Sequence, residues 1–179
     1  ITRQRLESEH WVRLRLDGEG KAFLPFAQGG FGTSSGLCDL NAEGLDYTPP
    51  VESRLGDAGL RARYPLELIS PKLDDGMNST FGYRPELDRA TARLFMHEDD
   101  AAARGIRGGE AVRVYNDRGS CLLDAVVDDT VRPGVVSAPS TRWAKLAAGG
   151  RNANALTSQR LTDEGGGATF YSCLVEVER

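Results

Sequence analysis

Four segments of the chain concentrate the residue types that hold polar ligands. The first is Ser70-Pro71-Lys72-Leu73-Asp74-Asp75-Gly76-Met77-Asn78-Ser79-Thr80-Phe81, and the second is Ser140-Thr141-Arg142-Trp143. The third runs from Gly149 to Thr157 through Arg151, Asn152 and Asn154, and the fourth from Asp163 to Tyr171. Glycine lets backbone amides approach a ligand closely, and Asn and Ser both donate and accept, as the edge of a polar heterocycle requires. Lys72, Arg142 and Arg151 are cations suited to phosphate in an otherwise acidic chain. Spacing alone favours a plainer reading of the same segments, as surface turns with solvated charges, because loops are polar in any protein.

Other chemistries are poorly served. His10 and His97 are the only histidines, and no ligands cluster at metal spacing, so a zinc site is not expected. The cysteines, Cys38, Cys121 and Cys173, are odd in number and form no C-x-x-C pair. Cys121 and Cys173 lie in apolar runs and read as buried thiols that pack like small hydrophobes. Cysteine usage fits a reducing compartment, so a cytoplasmic setting is the expectation, with a periplasmic one left open. The net charge of −4 argues against a nucleic-acid partner, which needs clustered Lys and Arg against phosphate. No apolar run reaches the length of a membrane span, so membrane insertion is not expected.

The elements that must position these segments are short strands. A length of 179 residues, 40% of them hydrophobic and 27% charged, gives one globular domain of ordinary size, with an arm. The 21 glycines favour turn-dense β structure over helices. Alternation predicts strands at Trp11–Leu16, Tyr64–Ser70, Thr91–Met96, Val135–Ala138 and Cys173–Val177. A hairpin is predicted from Ala111–Tyr115 and Cys121–Val127 around Asn116-Asp117-Arg118-Gly119. Glu98–Arg104 reads as a short helix with acids at its start and Gly105 just past its end. Before Tyr64 the chain has less regular punctuation. Residues 1–61 are therefore read as a lead-in arm and 62–179 as a compact barrel or sandwich. The initial Ile1, with no Met, suggests a piece of a longer polypeptide.

From Tyr64 to Val177 the sequence resembles the molybdopterin-dinucleotide-binding domain of the dimethyl sulfoxide reductase superfamily, which includes formate dehydrogenases and nitrate, S-oxide and N-oxide reductases. The resemblance rests on Tyr64–Lys72 with Asn78-Ser79-Thr80-Phe81, Glu98–Ile106, Val112–Ser120, Val131–Val136, Asn154-Ala155-Leu156-Thr157 and Tyr171–Val177, in that order. Thr33–Gly36, Gly44-Leu45-Asp46 and Pro49-Pro50 resemble the family's lead-in. Met96-His97 departs from the Asn-Pro that many relatives carry at this point, removing a preferred helix cap worth about 1 kcal/mol. Tyr171 stands where many relatives have Lys.

The resemblance implies a mainly β fold, a six-stranded double-psi β-barrel like that of aspartate decarboxylase, with a few short helices and the N-terminal arm. It implies a bis-molybdopterin guanine dinucleotide cofactor carrying molybdenum or tungsten in the parent enzyme. Iron–sulfur clusters and the protein ligand to the metal would belong to preceding domains of the same polypeptide, and an electron-transfer subunit is a further possible partner. The cofactor-contacting residues it implies are Ser70, Pro71, Lys72, Met77, Asn78, Ser79, Trp143, Asn154 and Tyr171, with no catalytic or metal-binding residue in the chain. By itself the domain would be inactive. Trp143 reads equally as a half-buried aromatic at the barrel end. Two other classes share the barrel: a recognition module without cofactor, and a self-processing pyruvoyl decarboxylase, for which Gly119-Ser120 would be the cleavage dipeptide.

Overall fold

A computed structural model of the chain describes residues 1–14, 24–40, 46–140, 142–162 and 165–179. The chain divides into two compact units, Ile1–Asp46 and Tyr47–Arg179.

The first unit contains one helix, α1, Arg3–Glu9. The Thr2 hydroxyl accepts from Arg5 N at 3.2 Å, and Arg3–Glu7 and Arg5–Glu9 pair along its surface. His10, at a φ of 63°, ends it. Trp11–Leu14, where alternation predicts a strand, is not one. Alternation specifies a strand only where a neighbouring edge takes the ladder bonds, and no other strand lies among the unit's described residues. Arg15, Leu16 and the Gly44-Leu45 part of the lead-in lie outside the described residues, as do Thr141 and Asp163-Glu164 further on.

The second unit is a closed barrel of six strands, β1 Leu66–Ile69, β2 Arg93–His97, β3 Ala111–Asn116, β4 Gly119–Asp128, β5 Val135–Ser137 and β6 Leu174–Glu178. Their order around the barrel is β1-β5-β2-β4-β3-β6. β1 runs parallel to β5 and β2 parallel to β4, while the other neighbours are antiparallel. This is the mainly β, double-psi architecture that the resemblance implies. Alternation builds the core. Leu66 and Leu68, Leu94 and Met96, Val112 and Val114, Cys121 and Leu123, Val136, and Val175 and Val177 point inward and are buried. Burying each such side chain is worth about 1.5–3 kcal/mol.

The helices are brief. α2 is Ala58–Arg63, capped by Asp57, whose carboxylate accepts from Leu60 N at 2.7 Å. α3, Pro85–Thr91, has Pro at its first turn and buries only Leu87 and Thr91. Thr91, read from sequence as the start of a strand, instead closes this helix, its hydroxyl donating to Leu87 O at 2.8 Å. α4, Glu98–Ala102, has His97 as its N-cap, with the imidazole Nδ1 accepting from Asp99 N at 3.2 Å. The departure from Asn-Pro at this point therefore replaces the cap and does not remove it.

Strand directions sort the connections. β1, β3 and β5 run one way, and β2, β4 and β6 the other. The connections 70–92, 117–118 and 138–173 therefore gather at one end of the barrel, and 98–110 and 129–134 at the other. Every segment singled out for its chemistry belongs to the first end.

Candidate functional site

The first two segments are aligned because the β1–β5 pairing continues past the strands. Ala138 N donates to Ile69 O at 3.0 Å and Ser140 N to Pro71 O at 2.9 Å, and Lys72 bridges Ser140 in parallel register. Pro71 has no N–H, which ends the strand, yet its carbonyl still holds the neighbouring segment. Beyond it the chain turns tightly at Met77–Thr80, where Thr80 N donates to Met77 O at 3.0 Å and Asn78 takes a φ of 53°. Asn is among the few residues that adopt this conformation readily.

Trp143 clamps the turn. Its indole Nε1 donates to Ser79 O at 2.6 Å, and Lys145 Nζ lies 4.3 Å from the ring centroid. Gly82 lies beneath the ring, where a Cβ would come within 2.5 Å of indole Cδ1 and Nε1. Trp143 is half-buried, so its N–H is used within the protein and only part of the ring remains exposed. Arg142, grouped by sequence with the phosphate-neutralising cations, is committed elsewhere. Its guanidinium forks onto Asp88 at 2.8 and 3.1 Å, and its carbonyl accepts from Asn152 Nδ2 at 2.6 Å.

Asn154 sits in a single 3-10 turn, Ala153–Ala155. Asn152 Oδ1 accepts from Asn154 N at 3.1 Å, and the Thr157 hydroxyl donates to Asn154 O at 3.2 Å, which fixes the backbone on both sides. Next to it Leu156 is fully buried. Leu156 O accepts from Arg118 Nε at 2.7 Å, Asn116 Nδ2 at 2.9 Å and Cys173 Sγ at 3.2 Å. Arg118 in turn forks onto the buried Glu52 at 2.7 and 2.7 Å. The hydrogen bonds it donates to Glu52 push the Arg118 guanidinium above its ordinary pKa. Burial pushes the Cys173 thiol up to about 11, with Arg118 opposing the shift.

Within this frame several side chains stay exposed. Lys72, Asn78 and Asn154 are exposed, and their side chains have no hydrogen-bond or ion-pair partner among the described residues. Met77 is 65% exposed in the first loop, and Tyr171, against Phe170 at 4.5 Å between ring centroids, is 51% exposed just before β6. Ser70 is half-buried, and Ser79 offers a free hydroxyl beside its occupied carbonyl. Topology thus brings Ser70, Pro71, Lys72, Met77, Asn78, Ser79, Trp143, Asn154 and Tyr171 to one end of the barrel. Ammonium, amide and hydroxyl groups stand there beside exposed apolar and aromatic surface. A pterin dinucleotide has the complementary make-up, flat faces with polar edges and phosphates, so the donor set fits such a group.

Residues 66–174 match the family model described as "Molydopterin dinucleotide binding domain". The chain belongs to this family, within the dimethyl sulfoxide reductase superfamily. Among similar curated proteins is the probable oxidoreductase YoaE of Bacillus subtilis, 34% identical over 90% of this chain and 24% of the relative. Another is the dimethyl sulfoxide reductase DmsA of Escherichia coli, 34% identical over 74% of this chain and 17% of the relative. The molybdopterin-binding domain thus spans about a quarter or less of these proteins. In fold it is similar to acetylene hydratase from Pelobacter acetylenicus, with a TM-score of 0.64, 21% identity, and coverage of 75% of this chain and 21% of that one.

Glu52, Asn116 and Arg118 are the residues of this end that sequence reasoning missed. Asn116-Asp117-Arg118-Gly119 reads in sequence as a turn whose Gly has only a geometric task. In the structure Gly119 is there for close approach, since a Cβ would lie 3.1 Å from Ala155 O. A buried carboxylate in the segment before β1 has no local signal at all.

Proposed function

We propose that the chain is the cofactor-covering domain of a molybdenum or tungsten oxidoreductase that carries a bis-molybdopterin guanine dinucleotide. The observation that carries this reading is the set of partnerless polar side chains, Lys72, Asn78 and Asn154, on loops that other bonds already hold still. Unpaired side chains on a backbone that is held in place are what a polar ligand needs, because each group it buries without a partner costs about 1–3 kcal/mol. When bound, the group supplies a dithiolene-held metal for the redox step. The domain's own residues bind and orient. Asn78 and Asn154 donate to and accept from polar ring edges, Lys72 and the Ser79 hydroxyl donate to carbonyl or phosphate oxygens, and Met77, Trp143 and Tyr171 wall the flat faces. Ser70 and Pro71 set the start of the loop. Preceding domains of the parent supply the metal ligand and any iron–sulfur cluster, so the domain does no chemistry alone.

The test is cofactor content per full-length enzyme, read beside thermal unfolding. Asn154→Leu keeps the side-chain size and removes both hydrogen-bonding functions; it should lower retention of the cofactor by about tenfold while the barrel stays folded. Lys72→Met should act in the same direction. Full occupancy in both variants would remove the residue-level basis of the proposal.

A further inference from the structure

Leu156 O is an unusual acceptor. Arg118 Nε, Asn116 Nδ2 and Cys173 Sγ all donate to it, from the β3–β4 turn, the end of β3 and the residue before β6. Such saturation leaves the carbonyl no freedom to rotate, and with it the peptide that ends the Asn154 turn. The bracing extends further back. Both terminal nitrogens of Arg118 are taken up by Glu52, which is 6% exposed and also accepts from Leu174 N at 3.3 Å. Asn116 Oδ1 accepts from Arg118 N at 3.0 Å, fixing the hairpin turn, and Gly119 lets Ala155 seat directly against it.

With Glu52 buried and the Arg118 side chain one-third exposed, such a carboxylate–guanidinium pair is a poor way to gain stability, since desolvating the carboxylate offsets much of the attraction. Its strength is geometric. The guanidinium is a rigid planar fork with a third donor at a fixed angle, so gripping Glu52 with two nitrogens aims Nε in one direction. That direction is Leu156 O. We infer that Arg118, braced by Glu52, is the positioning residue for Asn154, holding its turn in the one orientation that presents the amide to the cofactor. The inference rests on the cofactor-contact reading of Asn154. Arg118 acts only through the turn. Partners one step removed from a ligand commonly change affinity by tenfold or more when lost.

The experiment uses the full-length parent enzyme with Arg118→Lys, Glu52→Gln, Asn154→Leu and the Arg118→Lys/Asn154→Leu double variant. Two quantities are read: the rate of cofactor loss after dilution, and amide hydrogen exchange of peptides covering 150–158 against those covering β3 and β4. Lys keeps the charge but lacks the fork. Arg118→Lys should release the cofactor about tenfold faster and speed exchange in 150–158 alone. Glu52→Gln, which keeps the shape and can fold where Arg118→Lys does not, should give the same pattern in weaker form. The double variant should release the cofactor no faster than Asn154→Leu, because the two residues act in series. Additive losses, loosening that spreads through β3 and β4, or unchanged exchange at 150–158 would overturn the positioning role. Unchanged retention in Asn154→Leu would instead bring down the cofactor-contact reading. A defect in Asn154→Leu with none in Arg118→Lys would bring down the positioning role alone.

Discussion

At the scale of single residues, burial decides which groups react. Cys121 and Cys173 are enclosed and their thiols are pushed up to about 11 by desolvation, whereas Cys38 is exposed. Thiolate is the nucleophile, so at pH 8 an alkylating reagent should label Cys38 within minutes and the other two only after denaturation. Mass spectrometry should count one adduct in the native chain and three in urea. The same shift makes stability pH-dependent. A pKa raised in the folded state leaves stability intact below the unfolded value near 9 and removes it as pH climbs towards 11, because the unfolded chain gives up its thiol protons first. Thermal unfolding across that window should show a shallower decline in Cys121→Ala than in the parent sequence. Gly82 is the steric counterpart. Gly82→Ala would drive a methyl into the Trp143 indole, and displacing that ring breaks its bond to Ser79 O. We expect a loss of about 1–3 kcal/mol in denaturant unfolding and faster proteolytic cleavage within 70–82.

At the scale of elements, ion pairs tie helices and turns to the barrel end. Arg142 and Asp88 are both mostly buried, at 16% and 24% side-chain exposure, and join α3 to the segment after β5. Arg142→Met strands the carboxylate, and the expected cost is about 1–3 kcal/mol by chemical denaturation. The Asp117 carboxylate, at the tip of the β3–β4 hairpin, accepts from the Tyr64 hydroxyl at 2.7 Å and from Arg63 at 2.9 Å, and these bonds hold its pKa below the usual value. A depressed folded pKa contributes stability above the unfolded value near 3.8, lost as pH falls through the folded one. Asp117→Asn should therefore be less stable than the parent sequence at pH 7, with the difference vanishing as the pH drops well below 4. The strands were legible because inward residues recur every second position, as Val112 and Val114 do, and β pairing then keeps one face dry. α3 escaped notice because seven residues with two buried positions carry almost no helical period. The cap at His97 was hidden for a different reason, imidazole being an uncommon capping group. Of the candidate site, the loops were readable from composition. Which cations stay available was not, since Arg142 and Lys72 look alike until Asp88 takes one of them. Glu52 lies 66 positions from Arg118 in sequence, and only the folded chain brings the pair together.

At the scale of the whole molecule, no group of three or more His, Cys, Asp or Glu among the described residues is placed to hold a metal ion. Purified by itself, the chain should contain no stoichiometric molybdenum, tungsten or iron by elemental analysis and should show no turnover with viologen dyes. Tightly bound metal in that preparation would contradict the assignment of the redox centre to other domains. The strand order has a kinetic meaning as well. β6 lies between β1 and β3, so the earliest and the latest strands of the barrel are direct neighbours. The β3–β4 hairpin can form in microseconds from adjacent residues, but β1 must wait with one edge unpaired until more than a hundred further residues exist. The 138–173 connection, which carries Trp143 and Asn154, leads directly into β6, the strand that closes the barrel. During synthesis the barrel thus remains unclosed until the last strand emerges, and a chain stopped short of Leu174 would expose β1 and β3 as sticky edges. Cofactor loading on such a scaffold belongs after translation, to a polypeptide whose barrel has already shut.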